Sequence, residues 1–225
     1  MMSSFLAYPL AELPFVFVVL MISFALHEFA HAYFADQFGD PTARSMGRLT
    51  LNPRVHIDWV GMIFFLIIGI GWAKPILVNR SYFRKPRLMS IIVSFAGPFS
   101  NLLLGFVSLL IFHALLQLQA LDSISPGGRE AVELFSRNMI ELNIFLFILN
   151  LIPFPPLDGY RILEEVLPRR AAAKLKAHEQ WLFYAILLMF FIPPIRSVTL
   201  GPIFALKWPI FNWFDALVRA IFGAL

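Results

Sequence analysis

Apolar residues run almost unbroken through positions 10–34, 88–118 and 132–151, and each run is bounded by proline, glycine or charge. All three reach the ~20 residues that a helical membrane crossing needs. A further apolar run, 180–195, stops at Pro193 and Pro194, while the tail 202–225 sets Asn212, Asp215 and Arg219 as one polar stripe on an apolar helix. With Trp208 and Trp213 as anchors, that tail predicts a helix lying in the interface. The run 59–72 is too short to cross and contains Gly61, Gly69 and Gly71, so it predicts a segment that dips in and returns. Positions 43–51 mix small, basic and apolar residues and predict a short strand or two, and 160–177 predicts a polar helix. The expected fold is an all-α polytopic membrane protein with about four to six transmembrane helices, a re-entrant segment and a small membrane-associated β region. It forms a single domain over residues 1–225, with a core at about 10–165 followed by a C-terminal span and interfacial helix at about 178–225.

Composition sharpens this. With 59% hydrophobic residues, 25 Phe and 14% charged residues, the chain is too apolar for a soluble protein of its size. The net charge of +4 does not point to nucleic acid, because the basic residues sit in blocks between apolar runs. The first apolar run has no Lys or Arg before it and reads as a retained span rather than a signal peptide. The absence of cysteine removes disulfides and thiolate ligands, so any zinc must be held by His and carboxylate.

The candidate chemistry lies inside the first run, in the segment Phe24-Ala25-Leu26-His27-Glu28-Phe29-Ala30-His31-Ala32. Two histidines at i and i+4 on a helix share a face and can reach one Zn²⁺, with the intervening glutamate beside the open coordination position. A lone buried histidine is usually a hydrogen-bonded core residue. Three ionisable groups at this spacing in a membrane helix point to a metal, because ionisable groups there are costly and mark function. The motif by itself leaves the third ligand open.

Two later runs place polar groups at membrane depth. Residues 96–101, AGPFSN, combine Gly97, which lets another backbone approach, with Pro98 and Asn101. Residues 150–159, NLIPFPPLDG, carry three prolines that force the chain to unwind just before Asp158. If Asp158 completes a site with His27 and His31, the first and third spans run in the same direction and the segment 59–72 must return to its own side. That topology gathers thirteen of the eighteen Lys and Arg residues, those at 44–87 and 161–176, on one face. The positive-inside rule makes that face cytoplasmic and puts the site near it. His56 falls in a polar loop near the site, as a structural residue or one orienting a ligand from behind rather than a ligand itself. His113 and His178 read as structural.

With these residues in view, the chain resembles the site-2 protease family of intramembrane zinc metalloproteases. The likeness rests on HEFAH at 27–31, AGPFSN at 96–101 and NLIPFPPLDG at 150–159, in that order on successive spans, and extends over about residues 15–165. LNPRVHID and GWAKPILVN look like the compact members of the family, without PDZ or CBS domains. The resemblance implies that His27, His31 and Asp158 bind one Zn²⁺ per chain and that Glu28 is the catalytic acid and base. It also implies that Asn150 and Asn101 bind substrate backbone or the developing oxyanion. The expected partners are membrane proteins carrying a transmembrane helix, within the lipid bilayer. The expected location is the plasma membrane of a prokaryote. The rival reading is a non-proteolytic membrane scaffold or transporter that keeps a zinc or proton site, although transporters usually show repeated halves, and none is visible here.

Overall fold

A computed structural model describes residues 7–223 and contains, among these, ten α-helices and no β-strand. The first, α1 (Leu13–Gln37), starts with Pro14 in its first turn, where a missing N–H costs nothing, and runs 25 residues. After Gly39 comes the single turn α2 (Thr42–Ser45), and α3 (Trp59–Ile68) follows a polar stretch. The remaining elements are α4 (Pro86–Gln117), α5 (Pro126–Asn150), α6 (Asp158–Val166), α7 (Arg169–Ala177), α8 (Glu179–Phe191), α9 (Pro193–Ala205) and α10 (Lys207–Phe222). α1 and α5 pack against α4, which also carries α6 on its N-terminal half. One apolar core joins α1, α3, α5, α8 and α9 through Leu20, Phe24, Phe65, Leu146 and Leu200. A second, around Ile144 and Phe214, joins α4, α5 and α10.

The segment 59–72 folds back on itself as a short helix followed by a return. Asp58 caps α3 by accepting from the N–H of Gly61, and Gly69, at φ +77°, ends the helix in the left-handed conformation that suits glycine. The chain then runs back along α3 as an irregular returning strand, without regular secondary structure. It approaches so closely that a Cβ on Gly61 would overlap the backbone of Trp72, and one on Gly71 the carbonyl of Gly61. The N–H of Lys74 donates to the carbonyl of His56 (2.8 Å), which closes the base of this hairpin.

One expectation is corrected. Residues 43–51 form no strand. Thr42–Ser45 is a helical turn closed by Gly47 at φ +67°, with the N–H of Arg48 donating to Ala43 O (2.8 Å) and that of Gly47 to Arg44 O (3.0 Å). This pair of bonds around a left-handed glycine is a helix-stop signal, and it consumes the backbone groups that a strand would need. By length and composition, α1 and α4 can cross a membrane, and a third crossing results only if α8 and α9–α10, bent by 98° at their junction, count as one. α5 is as long as α1, but it carries Glu133, Arg137 and Glu141.

Candidate metal centre

His27 and His31 lie one above the other on the face of α1 turned toward α4 and α6, and both are buried. Each ring is oriented from its Nδ1 side. The Nδ1 of His31 lies 2.6 Å from Val93 O, and because a carbonyl only accepts, that nitrogen carries the proton. His27 is fixed by a relay that begins on α5. The Nδ2 of Asn143 donates to Met139 O (2.8 Å), so its Oδ1 faces Asn101 and accepts from Asn101 Nδ2 (2.9 Å). Asn101 Nδ2 also donates to Ser23 O (3.3 Å), which leaves Asn101 Oδ1 to accept from His27 Nδ1 (2.7 Å). Both imidazoles therefore present a bare Nε2.

Those two atoms meet a carboxylate. His27 Nε2 and His31 Nε2 are 3.0 Å apart, and Asp158 Oδ2 lies 3.1 Å from the first and 3.3 Å from the second. Three buried lone pairs at these separations repel one another unless a cation sits between them. A tetrahedral zinc with bonds of about 2.0–2.1 Å has ligand-to-ligand edges of about 3.3 Å. The triangle is therefore a close fit to zinc in donor type, tautomer and size, with one coordination position left over. Asp158 reaches it from the first residue of α6, after a loop that includes a cis Pro155–Pro156 bond. Gly159 lets that loop turn back, since a Cβ there would overlap Leu151 O.

The remaining residues singled out from the sequence take different positions. Glu28 is buried beside His27, and its Oε2 accepts from the N–H of Ile76 (2.9 Å) on the strand returning from α3. Asn101 was expected to face substrate; it is fully buried, and both ends of its amide are spent on His27, Ser23 and Asn143. Asn150 turns its amide back to Leu146 O (2.9 Å) on its own helix and does not join the ligand triangle. His56 is fully buried, with its Nε2 2.7 Å from Thr50 O, and burial pushes its imidazole below the ordinary value, so it stays neutral at pH 7. It holds the base of the hairpin and contributes no metal ligand.

Two residues emerge that the sequence did not single out for these roles. A Cβ on Gly97 would overlap His31 Nε2 and lie 2.7 Å from His27 Nε2, so only glycine leaves the ligand atoms free. Arg48 is buried and donates from Nη2 to Lys74 O (2.5 Å) and from Nη1 to Pro75 O (2.6 Å). Gly47, at φ +67°, turns the chain there and aims Arg48 inward, and the sequence marks only the glycine.

Comparison with known proteins agrees with this geometry. The model of peptidase family M50 matches residues 15–142 and 129–192. "Putative zinc metalloprotease YwhC" of Bacillus subtilis is 43% identical over 227 residues, covering 100% of this chain and 98% of that protein. "Putative zinc metalloprotease Rip2" of Mycobacterium tuberculosis is 29% identical over 197 residues, covering 84% of this chain and 72% of that one. No solved structure matches the chain. A family match across most of the sequence, with a relative this similar from end to end, means that the chain belongs to peptidase family M50, the site-2 protease family.

Proposed function

We propose that this protein is an intramembrane zinc endopeptidase that cleaves transmembrane segments of other membrane proteins near the cytoplasmic face. The observation that carries this reading is the meeting of two bare imidazole nitrogens and one carboxylate oxygen within 3.3 Å, with Glu28 alongside, at the end of an apolar helix. His27, His31 and Asp158 are the residues that would hold zinc. When bound there, zinc supplies a Lewis acid that polarises a peptide carbonyl and acidifies water.

The protein groups do the rest. Glu28 accepts the proton of the attacking water and returns it to the leaving amine, a role that suits a carboxylate with one oxygen held by Ile76 N–H and the other free to turn. Asn101 and Val93 keep the imidazoles in the tautomer that ligates. A substrate helix must unwind to be cut, because its carbonyls are hydrogen-bonded and shielded. The returning strand offers an unwound segment a place to lie: Leu77 is exposed, and among the described residues its N–H and C=O make no backbone hydrogen bond.

Purified protein with a panel of single-span substrates tests the reading. Cleavage is expected to be chelator-sensitive and to fall roughly a hundred- to ten-thousand-fold in Glu28→Gln with zinc still bound. Cleavage that survives Glu28→Gln, or zinc transport that does, would favour the scaffold or transporter reading instead.

A further inference from the structure

We infer that Arg48 is a positioning residue for the general base: by gripping two consecutive carbonyls of the returning strand, it fixes the next amide, Ile76 N–H, on the carboxylate of Glu28. This rests on the function proposed above.

The guanidinium is buried, at 5% exposure, and its fork spans Lys74 O and Pro75 O. The following residue, Ile76, donates its N–H to Glu28 Oε2. Arginine is suited to this because its planar fork holds two acceptors in a fixed relation, whereas a lysine ammonium is a single flexible point. The strand is tied on both sides of this grip, by Lys74 N–H to His56 O (2.8 Å) and by Asn79 N–H to Asp40 Oδ2 (2.6 Å), but neither tie adjoins Ile76. Among the fixed points, the Arg48 fork lies next to the amide that meets the base.

A buried arginine ordinarily faces a carboxylate in contact. Here the fork meets carbonyls, and the Nε–H is buried without a partner. Burial pushes the guanidinium down, and the charge of Glu28 pushes it back up, so Glu28 is the anion that offsets this cation across the strand. Arg48 and Glu28 thus sandwich the Lys74 to Ile76 backbone, one gripping its carbonyls and the other receiving its amide. The arrangement confines one carboxylate oxygen and leaves the other to work. Its origin in the sequence is the left-handed Gly47, which turns Arg48 away from α2 and into the fold.

Three measurements on the full-length protein in detergent decide this: zinc content, hydrogen exchange of the peptide covering residues 74–78, and kcat and KM on a single-span substrate that the wild type cleaves. Arg48→Met is expected to keep its zinc, to exchange faster at residues 74–78, and to lose roughly ten- to hundredfold in kcat with KM within about twofold. Arg48→Lys, which keeps the charge without the fork, is expected to recover only part of the loss. Unchanged exchange and kcat in Arg48→Met would overturn the inference. So would a loss of kcat that merely tracks zinc loss across both variants, because that is the mark of a general structural role. If the wild type cleaves no substrate, or Glu28→Gln cleaves as well as the wild type, the proposed function fails instead; the exchange measurement then still reads whether Arg48 holds the strand.

Discussion

A methyl group at position 97 would stand where the two histidine Nε2 atoms converge. Gly97→Ala is therefore expected to weaken zinc binding by roughly 10–100-fold, the range seen when the surroundings of a metal ligand are disturbed, while the fold of α4 gains a better helix former. Zinc titration by calorimetry, with circular dichroism as the control for folding, checks both halves of the statement. At this scale, legibility depended on whether a residue's partners are local. His27, Glu28 and His31 are readable because a helix repeats every 3.6 residues, and the close approach at Gly97 was readable from its neighbour Pro98 and the small-residue run. Arg48 was not, since its partners are backbone carbonyls 26 and 27 residues away, which carry no side-chain signature. Asn101 was noticed as a polar residue at depth, but its role depends on Asn143, a partner on another helix that no spacing rule connects to it.

Among the elements, the hairpin of α3 and its returning strand illustrates both success and failure. That it folds back follows from its length and its glycines: ten helical residues rise about 15 Å, half the hydrocarbon thickness. The extended piece was sought in the wrong place, at 43–51, because small and basic residues there resembled an edge strand while Gly47 enforced a helix stop. The open, non-helical backbone lies instead in the return, around Ala73 to Val78, where Pro75 and the preceding glycines exclude helix. If that return receives substrate, Leu77→Pro is expected to cut cleavage by roughly tenfold or more with zinc content intact, since it deletes one exposed amide and no buried contact. Cleavage of a single-span substrate by this variant at wild-type rate would remove the docking edge from the mechanism. α5 shows the converse limit. Its helical pattern was clear, but the helix begins at Pro126 rather than near 132, and Arg137 pairs with Glu12 ahead of α1, so charge enters a run that apolarity alone had marked as a span.

For the whole molecule, sidedness is the property with most consequence. Arg80 at the end of the returning strand pairs with Glu165 on α6, so the hairpin, the start of α4 and the helix bearing Asp158 all gather at one end of the bundle. Under the function proposed above, the positive-inside rule would put that end on the cytoplasmic side. The chain has no cysteine, so single introduced ones report position without background. In sealed right-side-out vesicles, Ser123→Cys, in the loop between α4 and α5, is expected to react with an impermeant maleimide, and Ala177→Cys, at the end of α7, is expected to react only after permeabilisation. The opposite pattern would put the metal centre on the outer side. Charge asymmetry and segment length, summed over many residues, are what a sequence offers toward topology, and the labelling pattern is their test. The convergence of helices on one triangle of atoms could be supposed from the proline-rich run before Asp158, and the likeness to the family implied Asp158 as the ligand.

That triangle also has a schedule. Its imidazoles reside in α1 and its carboxylate at residue 158, with α4 and α5 translated in between. A nascent chain that has inserted only its opening helices holds two histidines and no closing oxygen, so it cannot yet seat the ion, and the hydrolase stays inert until its own membrane assembly is nearly done.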